Sequence, residues 1–574
     1  MRYALVLAAA ALVAPATLRA APPAADPAPP VLLARAAGPA DPPITFQSQP
    51  INRVLDDFRA AADLIGGEKA VKAVNAAIKD RLGDKGFAGL DLDRPVVGYV
   101  TLAPKPEDIV AVVAIPFTAE KDFLALCERF NGSAPKDLGK GLFQLPPLDP
   151  RYKALMRFSD RYAYISYGAN PEPALDAAAL VPANKLYDPA EQAVVAAKFH
   201  FDRLTPEVKL AVPTYAKEIK KELGLDGDGL RIFGFGRQEA AIFKPMIDEV
   251  EKLFARYVLL LTGGDVATLK LNLDVPTGGL SVEAVLKPKA DTALAKAIAA
   301  RKPTGNQFGG LLTADTAAGF KTRLPLFNDE LKMGAVKALE EGRKQANLNG
   351  NEKDFMDEIF KGLTRTAKTG EADVVGGIRG PDKNGDFTAV VAFAFEDPAA
   401  VAKEWKAFVE KDAPADEQAR FKWDADKAGT VAIHTYQFVG GRGFFGDIGK
   451  PFGGEKCLVA YAFAPKGVFV VIGPDPIPVL KTALAVKPAD SPVLDVVLNP
   501  VRMKKFVEKT GGNGLQAENA LGKEDKLLSA MSLKVDGGKE LTATFTLNLR
   551  MLPRALVADD FEAEKAEPIP PEKK

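Results

Sequence analysis

Two histidines and two cysteines are all the imidazole and thiol chemistry that a chain of 574 residues carries. His200 stands two positions before Asp202 and His434 two before Tyr436, each in a strand-like run, so each shares a face with one polar neighbour. The two are not a pair by sequence. No Cys-x-x-Cys, His-Glu-x-x-His or Gly-x-Ser-x-Gly pattern occurs. Most metal sites and nearly all imidazole-based acid–base catalysis are thereby removed, and no catalytic residue, metal ligand or cofactor is assigned. Acid–base work is left to Asp and Glu, whose spacing in a sequence cannot exclude a catalytic pair. Cys127 and Cys457 admit two readings. An oxidising compartment would allow a disulfide joining distant parts of the chain; Cys127, however, lies on the apolar face of a helix, which favours buried free thiols.

The glycine-rich segments need the same test. Gly441, Gly443 and Gly446 reproduce the dinucleotide-binding spacing after a strand over 431–438. The residues that follow, from Asp447 to Gly454, cannot open the helix whose N-terminus would hold a pyrophosphate. Asp382, Asn384 and Asp386 resemble the start of a calcium loop, but its sixth and twelfth positions are Phe387 and Phe393 where Gly and a bidentate Glu are required. That segment is a turn. The stretch from Gly440 to Gly454 carries Arg442, Phe444, Phe445 and Phe452, a candidate loop for a partner or an apolar ligand. Its alternative is structural, with the aromatics folded back to plug one end of a sheet.

The elements that position these residues repeat. Val96-Val97-Gly98 returns as Val374-Val375-Gly376, 278 positions later, and the strand Asp108–Ile115 returns at the same offset as Asp386–Phe393. Phe123, Cys127 and Phe130 make a helical stripe matched by Val401, Trp405 and Phe408. The run from Gly168 to Leu175 (Gly-x-Asn-Pro-x-Pro-x-Leu) matches Gly473 to Leu480, with Asp for Asn, at an offset of 305. Val194–Asp202 likewise pairs with Val493–Asn499. Helices are predicted over 51–65, 69–82, 329–345 and 352–363. Strands joined by short turns, one of them containing Asn384-Gly385, predict antiparallel pairing. The central strands, 109–115 and 390–395, are apolar throughout and predict cover on both faces. A long amphipathic helix over 238–257 has no counterpart in the second copy, which has a polar stretch over 511–526 instead. The expectation is an α+β protein of two homologous units, an internal duplication, each an antiparallel sheet with helices packed on it.

Length, charge and the ends of the chain set the frame. The chain is longer than one hydrophobic core usually organises, which fits two units over 44–303 and 304–560. Equal numbers of basic and acidic residues, 75 each, argue against nucleic acid as a partner by bulk electrostatics. Arg2, the apolar run Ala4–Val13 and the small residues Ala16 and Ala20 have the layout of a signal peptide over 1–20, too short to anchor the chain in a bilayer. An Ala/Pro-rich linker over 21–43 follows, and 561–574 is a polar tail with no folding signal. The expected address is therefore periplasmic or extracellular, soluble and without a transmembrane anchor.

Together the leader, the Ala/Pro-rich stretch and the repeated strand–strand–helix units resemble the large exported proteins of planctomycete-type bacteria. That resemblance is one of composition and layout; it implies the address and transfers no functional motif. The leading functional expectation is a non-catalytic exported protein that binds a protein partner or an apolar ligand. A carboxylate-dependent hydrolase and a structural cell-envelope component are the alternatives.

Overall fold

The computed structural model describes residues 41–146, 151–211, 263–301, 304–323, positions 332–334, 336–337 and 339–340, and then 350–369, 373–437, 446–465, 467–510 and 531–551. The expected signal peptide, most of the linker, the helix over 238–257, the stretch 511–526 and the tail lie outside them, as does most of the helix expected over 329–345. The chain divides into two compact units, with the described residues up to Lys289 in unit 1 and those from Ala290 onward in unit 2. The division falls ahead of the 303/304 boundary expected from the sequence, so the short helix Ala293–Ala299 belongs to unit 2. Mixed helix and strand around antiparallel sheet is the architecture of both. No helix among the described residues is long and apolar enough to cross a membrane.

Unit 1 runs β1 (Ile44–Pro50), α1 (Ile51–Leu82), β2 (Pro95–Thr101), β3 (Val110–Pro116), α2 (Glu120–Asn131), β4 (Lys136–Gly139), β5 (Leu142–Leu145), β6 (Lys153–Ser159), β7 (Tyr162–Gly168), β8 (Val195–His200), β9 (Gly264–Asp274) and β10 (Gly279–Pro288). The two helices expected at its start meet at Gly67, whose φ of 64° breaks the helical path inside α1. Helix α2 buries Phe123 and Cys127 of the predicted stripe and also Leu126, leaves Phe130 partly buried, and stops where Gly132 turns left-handed. Its strands lie in the order β10-β9-β8-β1-β2-β3-β7-β6-β5-β4, every neighbour antiparallel.

Unit 2 runs α3 (Ala293–Ala299), β11 (Thr304–Asn306), β12 (Thr316–Arg323), α4 (Gly350–Thr369), β13 (Asp373–Arg379), β14 (Thr388–Ala394), α5 (Pro398–Asp412), β15 (Phe421–Ala428), β16 (Val431–Gln437), β17 (Leu458–Ala464), β18 (Gly467–Gly473), α6 (Pro476–Leu484), β19 (Ala489–Ser491), β20 (Leu494–Leu498), α7 (Pro500–Lys509), β21 (Met531–Asp536) and β22 (Leu541–Asn548). Its main strands lie in the order β22-β21-β20-β12-β13-β14-β18-β17-β16-β15, again all antiparallel. Strands β11 and β19 pair separately. Position by position this is the order found in unit 1.

The match extends to register. In unit 1 one cross-strand row reads Ala197, Phe46, Gly98, Val113, Ile165, Met156. In unit 2 the corresponding strands give Val496, Phe320, Gly376, Val391, Val470, Tyr461. Residues directly opposite one another share a face, so each row is one belt across one side of its sheet. In both belts an aromatic ring on the first strand of the main sheet covers a glycine on the next. A Cβ at Gly98 would stand 2.2 Å from the Phe46 ring, and one at Gly376 would stand 2.8 Å from the Phe320 ring. The Gly-x-Asn/Asp-Pro run also serves one purpose twice: its last residues, Leu175 and Leu480, are 1% and 0% exposed on the opposite face.

Two expectations are corrected. The connection between β13 and β14 takes positive φ at Gly380 and Gly385 but not at Asn384, so Asn384-Gly385 does not supply the paired positive angles of a two-residue hairpin, and Asp382 organises the turn by accepting the amides of Asn384 and Asp386. Cover on both faces of the central strands fails in unit 2, where Val391 is 37% exposed. Among the described residues, its side of the sheet meets helices toward the two strand ends.

Because the ring–glycine contact is closer in unit 1 and Phe46 is 4% exposed against 40% for Phe320, replacing the glycines tests the belts unequally. Gly98→Ala is expected to lower stability by about 2–3 kcal/mol and Gly376→Ala by about 1 kcal/mol, overpacking being costly only where the neighbour cannot move. Urea unfolding of the two variants measures the difference; equal losses would show that the rings are not what constrains these positions.

Candidate functional site

The side of the unit 2 sheet that carries Phe320, Val391 and Val470 is roofed at one strand end by α4 and α5. There Phe355, Ile359, Leu363 and Val401 pack with Phe393, Phe395, Phe463 and Val468. Gly362 makes this close approach possible, since a Cβ there would fall 2.1 Å from the Phe395 ring. The Thr366 hydroxyl fixes the same junction by accepting the Glu396 amide at 3.0 Å. At the opposite strand end α7 and the turn Gly446–Phe452 close the sheet, with Met503, Phe506 and Phe452 packed on Ile378, Ala389 and Ile472. Between these walls Phe320 and Val391 are exposed, whereas Val470 packs against the α4–α5 cluster and Tyr461 is buried.

Its dimensions follow from the register. Val391 lies midway between Ala389, which touches one wall, and Phe393, which touches the other. Four residues of strand span about 14 Å, and the wall side chains take up part of that. The slot is therefore about one side-chain row wide, narrower than the ~10–12 Å of a helix with its side chains. Phe320 and Val391 form its floor at 40% and 37% exposure, and the Phe320 ring fills the gap above Gly376 between them. No charged side chain belongs to the row from Val496 to Tyr461.

Beyond Tyr461 the row continues to His434, into an aromatic cluster that holds both tryptophans of the chain. The Trp405 indole N–H donates to the Tyr461 hydroxyl at 3.3 Å, and Trp423 stands edge-on to His434 with centroids 5.3 Å apart. Burial pushes the Tyr461 phenol up to about 12, so it is a neutral hydrogen-bonding group at any ordinary pH.

The opposite face of unit 2 is polar where β12 meets β13 and β20. Asp373, wholly buried, receives Arg323 on both carboxylate oxygens, at 2.7 and 3.2 Å, and the Gln307 amide at 2.9 Å. Asp495 faces Lys321 at 3.4 Å. These two buried carboxylates are thus each matched to a cation on the neighbouring strand. The clearest raised carboxyl is Asp57 on α1, lifted first by burial and then by Asp56, with Arg53 opposing. Among the described residues no group of three or more His, Cys, Asp and Glu is placed to hold a metal ion.

The residues singled out from the sequence fall as follows. Arg442, Phe444 and Phe445 lie outside the described residues. Phe452 is 5% exposed, against Phe506 with ring centroids 5.6 Å apart, and packs inward as part of a wall. Cys127 and Cys457 are free and buried, one in each unit, and burial pushes each thiol up to about 11. His200 ends β8 and Asp202 belongs to the 3-10 turn after it, so the strand face expected to hold both is not formed. Phe320 and Val391 were not singled out. The signal for them was the Val-Gly-Gly run of β13, whose missing side chains leave the neighbouring strands' groups uncovered. No family model, curated protein or solved structure matches the chain.

The Arg323–Asp373 pair gives a direct test of what holds the polar face. Asp373→Ala, which strands a buried guanidinium, is expected to destabilise the protein by about 3–5 kcal/mol, whereas Asp373→Leu combined with Arg323→Met recovers most of the loss. Thermal and urea unfolding of the single and double variants decides it; a double variant as unstable as the single would mean that the pair orders β11 through bonds no apolar residue replaces.

Proposed function

We propose that the protein is a non-catalytic, exported binding protein, and that unit 2 takes an apolar, chain-like ligand in the slot floored by Phe320 and Val391. The observation that carries this is the half-exposed, uncharged pair Phe320 and Val391 between two walls. Apolar surface left open in a concave site between rigid elements is where binding is gained most cheaply. The slot's width selects among occupants: a flexible unbranched chain fits where a helix does not.

The setting is read from the same residues. Duplication of an ancestral unit accounts for the shared strand order, the shared ring–glycine belt and the buried Leu175 and Leu480 at the offset seen in the sequence. Export rests on Arg2 and the apolar run Ala4–Val13. In this reading unit 1, where Phe46 is buried rather than half-open, is the structural copy and unit 2 the binding copy.

Titration of the full chain with a long-chain fatty alcohol, followed by tryptophan emission, tests the proposal, because Trp405 and Trp423 border the row. A saturable shift is expected, weakened at least about tenfold, or ~1.4 kcal/mol, in Val391→Glu. Position 391 is already open to water, so the charge is tolerated by the fold. Absence of any shift in the natural chain, confirmed by native mass spectrometry showing no adduct, would sink the proposal, as would equal affinity in Val391→Glu.

A further inference from the structure

Strand β15 ends the unit 2 sheet, pairing among the described residues with β16 alone, and it does so irregularly. Lys422 faces Thr435 and Asp426 faces Ile433, so the three residues from Trp423 to Ala425 stand opposite the single residue His434. Such a bulge leaves backbone groups without ladder partners. Asp424 within it has a φ of 52°, a left-handed conformation that residues other than glycine rarely adopt. Its backbone N–H donates to Nδ1 of His434 at 3.0 Å. An imidazole, rather than a strand carbonyl, therefore satisfies the bulge. Nδ1 accepts only in the neutral ring with its proton on Nε2, because the protonated ring has a donor on both nitrogens.

We propose that protonation of His434 breaks this bond and opens the bulge, making the β15 edge of unit 2 a pH-operated latch. The groups facing the ring come from three elements besides its own strand. Asp424 on β15 favours the protonated form; Lys406 on α5, whose ammonium lies 5.6 Å from the Trp423 ring centroid, disfavours it; Tyr461 on β17 is neutral, its ring tilted to the imidazole with centroids 5.4 Å apart. Burial is the largest influence and holds the imidazole below its ordinary value. The sign follows. The folded state prefers the neutral ring, so the latch is intact above the ordinary histidine value near 6.5 and is lost as pH falls through the lower value of the folded protein. The latch needs no ligand, and its failure would leave the slot proposal untouched.

The test uses the full chain. The ring's titration is read by NMR of carbon-labelled histidine, with His200→Asn to distinguish the two signals, and the Asp424 amide by hydrogen exchange corrected for the intrinsic effect of pH. Protection of that amide is expected to fall at least about tenfold as His434 titrates, and to stay flat in His434→Asn, whose amide oxygen accepts the same N–H without titrating. Unchanged protection through the titration of the natural protein overturns the proposal, as does the same fall in His434→Asn. Should that variant not fold, the measurement on the natural chain decides alone.

Discussion

An aromatic ring lying where a side chain would otherwise stand pins the first two strands of each main sheet together. Phe46 occupies the space above Gly98, and Phe320 the space above Gly376. A slip of one residue in β1 or β12 would turn the ring to the other face and leave the glycine facing nothing, so the contact fixes register as well as filling volume. Everything on that side of the sheet inherits its alignment from this pair. Val113 and Ile165 in unit 1, and Val391 and Val470 in unit 2, sit in one belt because the ring and glycine are opposed.

From the same belt the two units diverge. In unit 1 the ring is buried, and the neighbouring residues of β2 and β3 pack around it as core. In unit 2 the ring is half-open, and the walls stand apart by the height of one side-chain row. The same strand order and ring–glycine contact thus accompany a buried ring in unit 1 and a half-exposed one in unit 2, although most other strand residues differ. The opposite faces diverge too. Beside Leu175 unit 1 has the Tyr164 hydroxyl, which accepts the Ala183 amide at 3.0 Å, whereas beside the matching Leu480 unit 2 has the Arg323–Asp373 pair, whose Arg323 also donates to Gly305 of β11.

Much of this architecture was legible in the sequence because it is periodic. The stripe of Phe123 and Cys127, the matching Val401 and Trp405, and the Gly-to-Leu run at 168–175 and 473–480 are local patterns whose meaning does not depend on distant partners. The site was not legible for the opposite reason. That Phe320 would cover Gly376 depends on which strand lies beside which, and 56 residues of chain separate them. That Val391 would be open depends on how far apart two helical layers stop. His434 showed only a strand residue beside Tyr436; its role at the bulge rests on Asp424 taking a left-handed conformation, which Asp tolerates better than most residues but which nothing in a strand-like run announces.

The strand order also governs the sequence of events by which each unit is made. The first strand of each main sheet lies between its second strand and one that follows well over a hundred residues later, as β1 lies between β2 and β8 and β12 between β13 and β20. A chain emerging N-terminus first therefore cannot complete the middle of either sheet until nearly the whole unit is present. Contacts of such long sequence separation close slowly. A chain of this topology remains unlocked while it is being synthesised, and the middle of each sheet closes only when its late strand, β8 or β20, arrives.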